Sequence, residues 1–307
     1  MIQRRPAQAM LATGLAAALF VGCAQTTQPT SSSTGSPGSS GGAITLGTSD
    51  KITMIDPAGS YDNGSFMVMN QVYGFLLNSA PGAPDTTPSP DLATSAEFTS
   101  PTEYTVKLKP GLKFANGHDL TSSDVKHSFD RQVKIADPNG PASLLGNLAS
   151  VETPDATTVV FKLKSGNDQV WPQILTSPAG PIVDEELFPA DKVLPDAELV
   201  KGNPWSGPYT ITTYNFNQLV SYKANDAYQG MLGKPKTATV NVKYYADANN
   251  LKLDIGQGNI DVAYRSLSAT DIESLRKDGK SQIAEGPGGE IRYIVFNMNT
   301  MPFGAKA

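Results

Sequence analysis

The sequence predicts an α/β protein in which strands outnumber helices, and three observations carry that prediction. Apolar and polar residues alternate through several short runs, the period-two pattern of half-buried strands. Helical signals are fewer, namely one run at helical spacing and one capping motif. The 307 residues include 28 glycines and 23 prolines, about one residue in six against about one in eight in average proteins. Such a chain turns often, which excludes a helical bundle.

Element by element, Ala43 to Thr48 reads as an edge or first strand, a short run enriched in apolar residues. Met69, Val72, Tyr73, Leu76 and Leu77 recur at helical spacing and predict a helix with one buried face. Pro81 through Pro90 is a proline-rich surface connection. Tyr104, Val106 and Leu108 alternate with Thr105, Lys107 and Lys109, then Leu112 and Phe114 resume after Pro110-Gly111, giving two strands or strand pieces. Thr121 and Asp124 form a capping-box start, with Val125 and Phe129 facing inward. Further strands are expected around Val159 to Leu163, Tyr209 to Thr213, Leu219 to Lys223, Thr239 to Tyr245, Ile260 to Tyr264 and Ile291 to Phe296. No repeat of 20 to 50 residues is visible, which disfavours solenoids and propellers.

Charge and cysteine content narrow the function. With 24 basic and 29 acidic side chains the net charge is -5, so no cationic field draws phosphates and nucleic-acid binding is disfavoured. A single cysteine and two histidines, His118 and His127, leave no ligand set for a zinc or iron-sulfur centre. Neither histidine lies in a nucleophile or acid–base motif, and no glycine-rich loop is placed to cradle phosphate. The sequence therefore implies no cofactor, no metal and no catalysis.

The N-terminus reads as a targeting segment. Arg4 and Arg5 precede an uncharged run from Pro6 to Gly22 rich in alanine and leucine, the pattern of a secretory signal over residues 1–22. Leu19-Phe20-Val21-Gly22-Cys23 resembles a bacterial lipobox, which implies that Cys23 is lipidated and becomes the new N-terminus. Stable anchoring needs two or more acyl chains. Residues 23–42 carry no charge and no Val, Ile, Leu or Phe, so they form a linker. Its span is roughly 25 Å root-mean-square, enough to hold a folded body off the outer face of the cytoplasmic membrane.

The run Tyr104 to Gly117, continued by Leu120-Thr121-Ser122-Ser123-Asp124-Val125 and Ser128-Phe129 to Arg131, resembles the signature of the solute-binding proteins of peptide and nickel ABC importers, bacterial solute-binding protein family 5. Further pieces follow in the family's order: Ile55-Asp56-Pro57, Ser206-Gly207-Pro208-Tyr209, Asn225-Asp226-Tyr228, Gly258-Asn259-Ile260-Asp261, and Phe296-Asn297-Met298-Asn299. Asn116, Ser122 and Trp205-Ser206 depart from the common pattern. Within the signature, Phe114 reads as a hydrophobic plug, Gly117 as a tight turn, and Thr121 with Asp124 as a helix cap.

The resemblance implies a two-lobed periplasmic-binding-protein-like fold. Residues 43–85 and 175–290 would form lobe I, 86–174 an inserted subdomain, and 291–307 the start of the hinge and second lobe. The remainder of that lobe is expected to be missing, so the chain by itself is expected to bind ligand poorly or not at all. The resemblance further implies a monomer that captures a dipeptide or oligopeptide and delivers it to permease subunits. Its ligand residues would be Tyr61, Asp62 and Asn63 after Asp56-Pro57, Ser177, and Tyr264 with Arg265 after Asp261. Alternatives are a nickel chelate or oligosaccharide as ligand, or an exported hydrolase.

Overall fold

The computed structural model describes residues 42–80, 87–286 and 293–300. The signal segment, the linker up to residue 41 and Cys23 lie outside the described residues, as do 81–86, 291 and 292. No helix among the described residues is long and apolar enough to cross a membrane.

Two sheets organise the chain. The first has the order β11-β1-β10-β9-β8, built from β1 (Ala43–Thr48), β8 (Tyr209–Asn215), β9 (Leu219–Ala224), β10 (Thr239–Tyr244) and β11 (Val262–Ala263). β1 is internal to this sheet and runs parallel to both β10 and β11, while β8, β9 and β10 pair antiparallel. β10 and β11 run the same way on either side of β1, which needs a crossover, and α5 (Ala248–Gln257) supplies it. Asp247 caps α5 by accepting from the Asn249 and Asn250 amides, and Gly258 ends it at φ 76°. Gly47 leaves room for α5 to pack on β1. A Cβ on it would lie 2.7 Å from both Leu251 and Ile260, the two residues that seat α5 and the β11 approach on β1.

The second sheet is antiparallel, in the order β4-β5-β7-β6, from β4 (Ala93–Ser100), β5 (Glu103–Leu108), β6 (Leu148–Asp155) and β7 (Thr158–Leu163). Against it packs α2 (Ser122–Ile135), whose predicted capping box is present: Ser123 N donates to Thr121 Oγ1, and Thr121 N donates to Asp124 Oδ2. Val106, Val125, Phe129, Val159, Phe161 and Trp171 are fully buried between them. The Phe129–Phe161 and Phe161–Trp171 rings meet edge to face at 4.9 and 5.3 Å. A separate core lies under the first sheet, where Val68, Val72, Tyr73, Trp205 and Val220 are buried.

Short elements complete the chain: α1 (Asn63–Val72), β2 (Leu77–Asn78), β3 (Ser89–Pro90), α3 (Trp171–Ile174), α4 (Asp196–Gly202) and α6 (Ala269–Asp278). Four differences from the sequence reading have physical causes. The first helix spans 63–72 rather than 69–77, because Asp62 caps it and the chain leaves it at Gly74, which donates to Ser206 Oγ and accepts from Ile182 N. Leu112 to Phe114 is a strand piece and not a full strand: Gly117 at φ 99° folds the chain back so that Lys113 bridges Asp119, with Phe114 N donating to His118 O and Leu120 N to Leu112 O. The expected strand over 260–264 shrinks to Val262–Ala263. Residues 293–296 form no strand, and Tyr293, Ile294 and Val295 are largely exposed.

Candidate functional site

The carboxyl ends of parallel strands are where α/β folds gather their loops and bind ligands. Here the loop leaving β1, residues 50–53, is a hub to which four other segments are fastened. Asp50 Oδ2 lies 3.9 Å from Arg265 Nε. Lys51 Nζ donates to Tyr245 O at 2.8 Å. Ile52 is held at both backbone groups by Asn217, which accepts from its N–H at 2.7 Å and donates to its carbonyl at 3.0 Å. Thr53 N donates to Ser65 Oγ at 2.9 Å, and Thr53 Oγ1 donates to Asp62.

The N-terminus of α1 fits against this hub through a glycine. A Cβ on Gly64 would sit 1.9 Å from Lys51 O, so the helix backbone approaches the loop more closely than any side chain allows. Asp62 is the helix cap, accepting from Ser65 N at 2.8 Å, and its second oxygen takes the Thr53 hydroxyl. Tyr61 and Asn63 flank it and are exposed.

After β11 the chain makes a strained turn. Arg265 and Ser266 are consecutive non-glycine residues at φ 58° and 65°, each in a left-handed conformation that costs roughly 1–2 kcal/mol. Strain of this kind persists where surrounding contacts over-determine it, and it clusters at ligand clamps. Tyr264 N donates to Gly47 O at 2.8 Å, which ties the turn to β1 and leaves the residue 42% exposed. Tyr264, Arg265 and Ser266 form one side of a cavity of about 1110 Å³, whose other walls come from Ile255 of α5, Leu275 of α6 and the segment 280–286.

The structure thus joins Tyr61, Asp62 and Asn63 to Tyr264 and Arg265 through one loop, although the first three do not line the cavity. Ser177 stands in a different setting. Its hydroxyl donates to Ile174 O at 2.7 Å and accepts from Ala179 N at 3.2 Å, which closes the turn after α3. Both histidines are committed elsewhere: His118 Nδ1 meets Asp184 Oδ2 at 2.8 Å and His127 Nε2 meets Phe188 O at 2.8 Å. Among the described residues no group of three His, Cys, Asp or Glu is placed to hold a metal. What the site offers is exposed tyrosine faces, an exposed amide and a guanidinium, the equipment for binding a polar organic solute.

Sequence reasoning missed the hub. Asp50, Lys51, Thr53 and Asn217 carry no motif, and their partners lie far along the chain. It also gave Asp56 and Arg131 no partner, yet they form a buried two-pronged ion pair with both N···O distances 2.7 Å. The signal for Asp62 as a cap was local, an aspartate three residues before Ser65 at the mouth of a helical run.

Comparison with known proteins gives a consistent picture. The family model described as bacterial extracellular solute-binding proteins, family 5 (middle), matches residues 87–307. A protein of Escherichia coli K12 named "Probable D,D-dipeptide-binding periplasmic protein DdpA" is 28% identical over 255 residues, covering 81% of this chain and 48% of the relative. The oligopeptide-binding protein AppA of Bacillus subtilis is 27% identical over 304 residues, covering 97% of this chain and 54% of AppA. The solved structure of AppA in complex with a nonapeptide superposes with a TM-score of 0.65 at 25% identity, covering 78% of this chain and 46% of that one. The binding protein MoaA of Agrobacterium tumefaciens R10, solved with mannopinic acid, shares the fold with a TM-score of 0.73 at 21% identity, covering 86% of this chain and 53% of MoaA. The chain spans about half the length of these relatives.

Proposed function

Because the chain belongs to the bacterial extracellular solute-binding proteins of family 5, whose members are transport binding proteins and not enzymes, we propose that it captures a peptide for uptake by an ABC importer. The fold is α/β and periplasmic-binding-protein-like. The observation that carries the peptide reading is the strained Arg265–Ser266 turn, tied to β1 through Tyr264 N and walling the cavity. Arg265 pairs with the solute's carboxylate, since a guanidinium matches a carboxylate with two parallel hydrogen bonds. Tyr61 and Tyr264 supply apolar faces with a polar tip, and Asn63 a directional amide. The names of DdpA and AppA, which specify dipeptide and oligopeptide binding, support the same class of solute.

In this reading residues 43–85 and 175–290 are lobe I, carrying the first sheet, and 86–174 are the inserted subdomain, carrying the second. The N-terminal segment exports the chain, lipidated Cys23 anchors it to the outer face of the cytoplasmic membrane, and permease subunits receive the solute from a monomer. Thermal unfolding with peptides of two to nine residues, a nickel–histidine chelate and an oligosaccharide tests the class. A ligand at 100 times its Kd stabilises by about 2.7 kcal/mol. Peptides alone should raise the Tm; a rise with the chelate or sugar and none with peptides would refute the proposal.

A further inference from the structure

Two pieces of sequence singled out by their resemblance, Ile55-Asp56-Pro57 and the Ser128–Arg131 end of the signature, lie about 75 residues apart and meet in the fold. Arg131 Nη1 donates to Asp56 Oδ1 and Nη2 to Asp56 Oδ2, each at 2.7 Å, with side-chain exposures of 1% and 0%. Every remaining polar atom of the pair fastens backbone. Arg131 Nε donates to Pro189 O at 2.7 Å and Nη2 to Lys192 O at 2.6 Å. Asp56 Oδ1 accepts from Ala58 N at 3.0 Å and Oδ2 from Leu194 N at 2.7 Å. The guanidinium also lies over the Phe188 ring, 5.1 Å from its centre.

We propose that Asp56 and Arg131 are positioning residues for the solute-facing stretch Tyr61–Asn63. This rests on the reading of Tyr61 and Asn63 as solute contacts. The pair fixes Ala58 from one side, Gly59 N donates back to Asp56 O at 3.0 Å, and Ser60 Oγ donates to Met54 O at 2.9 Å. From the other side Gly140 approaches so closely that a Cβ on it would lie 2.1 Å from Ala58 O. Tyr61 follows at once, and the three residues from Ala58 to Tyr61 span at most about 10 Å. A shift of the turn therefore reaches Tyr61 with little slack to absorb it.

Charge attraction alone does not account for the pair. Buried ion pairs confer little net stability over apolar residues of similar volume. Apolar side chains would fill this space, but they would leave Ala58 N, Leu194 N, Pro189 O and Lys192 O without these partners. What the pair adds is position: it holds the turn at Ala58 against the 189–194 segment and α2.

Arg131→Lys keeps the charge and loses the fork, and the double variant Asp56→Leu/Arg131→Met keeps the volume and loses both charges. The test uses hydrogen exchange of the whole chain together with the affinity for a synthetic nonapeptide library. In both variants exchange across 57–63 should speed up at least tenfold while β5 and β7 stay as protected as in the wild type, and nonapeptide affinity should fall at least tenfold. Three results would overturn the proposal: unchanged protection at 57–63, protection lost equally in β5 and β7, or a loosened 57–63 with undiminished affinity. If Arg131→Lys fails to fold, the double variant decides. A wild-type chain that binds no nonapeptide sinks the peptide reading, and the exchange comparison still decides whether the pair fixes the turn.

Discussion

Replacing Gly64 by alanine tests how tightly α1 is pressed against the β1 hub. The new methyl would meet Lys51 O at 1.9 Å, Lys51 C at 2.5 Å and Lys51 N at 2.9 Å, all backbone atoms that no rotamer change can move aside. To reach ordinary contact the helix start or the 50–53 loop has to shift by about 1.5 Å, and overpacking of this kind costs roughly 1–3 kcal/mol. Against the upper end of that range stands a gain of about 1 kcal/mol from alanine's better helix propensity. The expected net loss is about 2 kcal/mol. In urea that moves the midpoint down by roughly 0.7–1 M at an m-value of about 2–3 kcal/mol/M. Gly256→Ala in α5 is the matched control, because a Cβ there meets nothing within 4 Å. It should stabilise by about 0.4–1 kcal/mol. Equal midpoints for the two variants would refute the close-approach argument.

Removing the α2 cap by Thr121→Ala should cost about 1 kcal/mol in urea unfolding, with Ser122→Ala unsuited as a control because its hydroxyl donates to Asp155 O. Phe161→Ala, at the centre of the ring cluster with Phe129 and Trp171, should cost about 3–5 kcal/mol by the same assay. Hydrogen bonds from the Thr158 hydroxyl and from the Thr157 amide and hydroxyl lower the Asp155 pKa to about 2, below the ordinary value of about 3.9. The stability linked to Asp155 is therefore fully present above about pH 4 and is lost as pH falls through about 2; an NMR titration with a midpoint near 4 would contradict this. Arg265→Ala should weaken peptides bearing a free C-terminal carboxylate at least tenfold in calorimetry and leave C-terminally amidated peptides nearly unaffected. Labelled fatty acid should enter the wild-type protein in its bacterial host and not Cys23→Ser, and equal labelling would remove the lipid anchor from the account.

What the sequence made legible was local. The Thr121 cap, the alternation in β5 and β7 and the turn at Gly117 all depend on residues within a few positions of one another, so pattern alone found them. The sheet-edge strands β4 and β6 escaped because edges bury less: Thr94, Ser95, Ala149 and Ser150 are exposed, which blurs the alternation. Tertiary contact overrode propensity at Gly74, where pairing with Ile182 and Ser206 draws the chain out of the helix although Leu76 and Leu77 continue its apolar spacing. For the site, the aromatic and arginine candidates could be named, yet their support could not. Asn217 is 165 residues from Ile52 and Tyr245 is 194 from Lys51, distances across which no spacing rule operates. Asp62 shows both cases in one side chain, with the Ser65 cap within helix-capping range in sequence and the Thr53 hydroxyl bond outside it.

The measurement that bears most directly on peptide capture at the carboxyl ends of β1 and β11 is amide chemical-shift mapping of the chain during titration with a nonapeptide library. Shifts should concentrate at Asp50–Thr53, Tyr61–Gly64 and Tyr264–Ser266 and move together with one apparent Kd, because one loop joins the three. Shifts confined to the β4-β5-β7-β6 sheet, or no saturable shift at millimolar peptide, would contradict peptide capture at these strand ends.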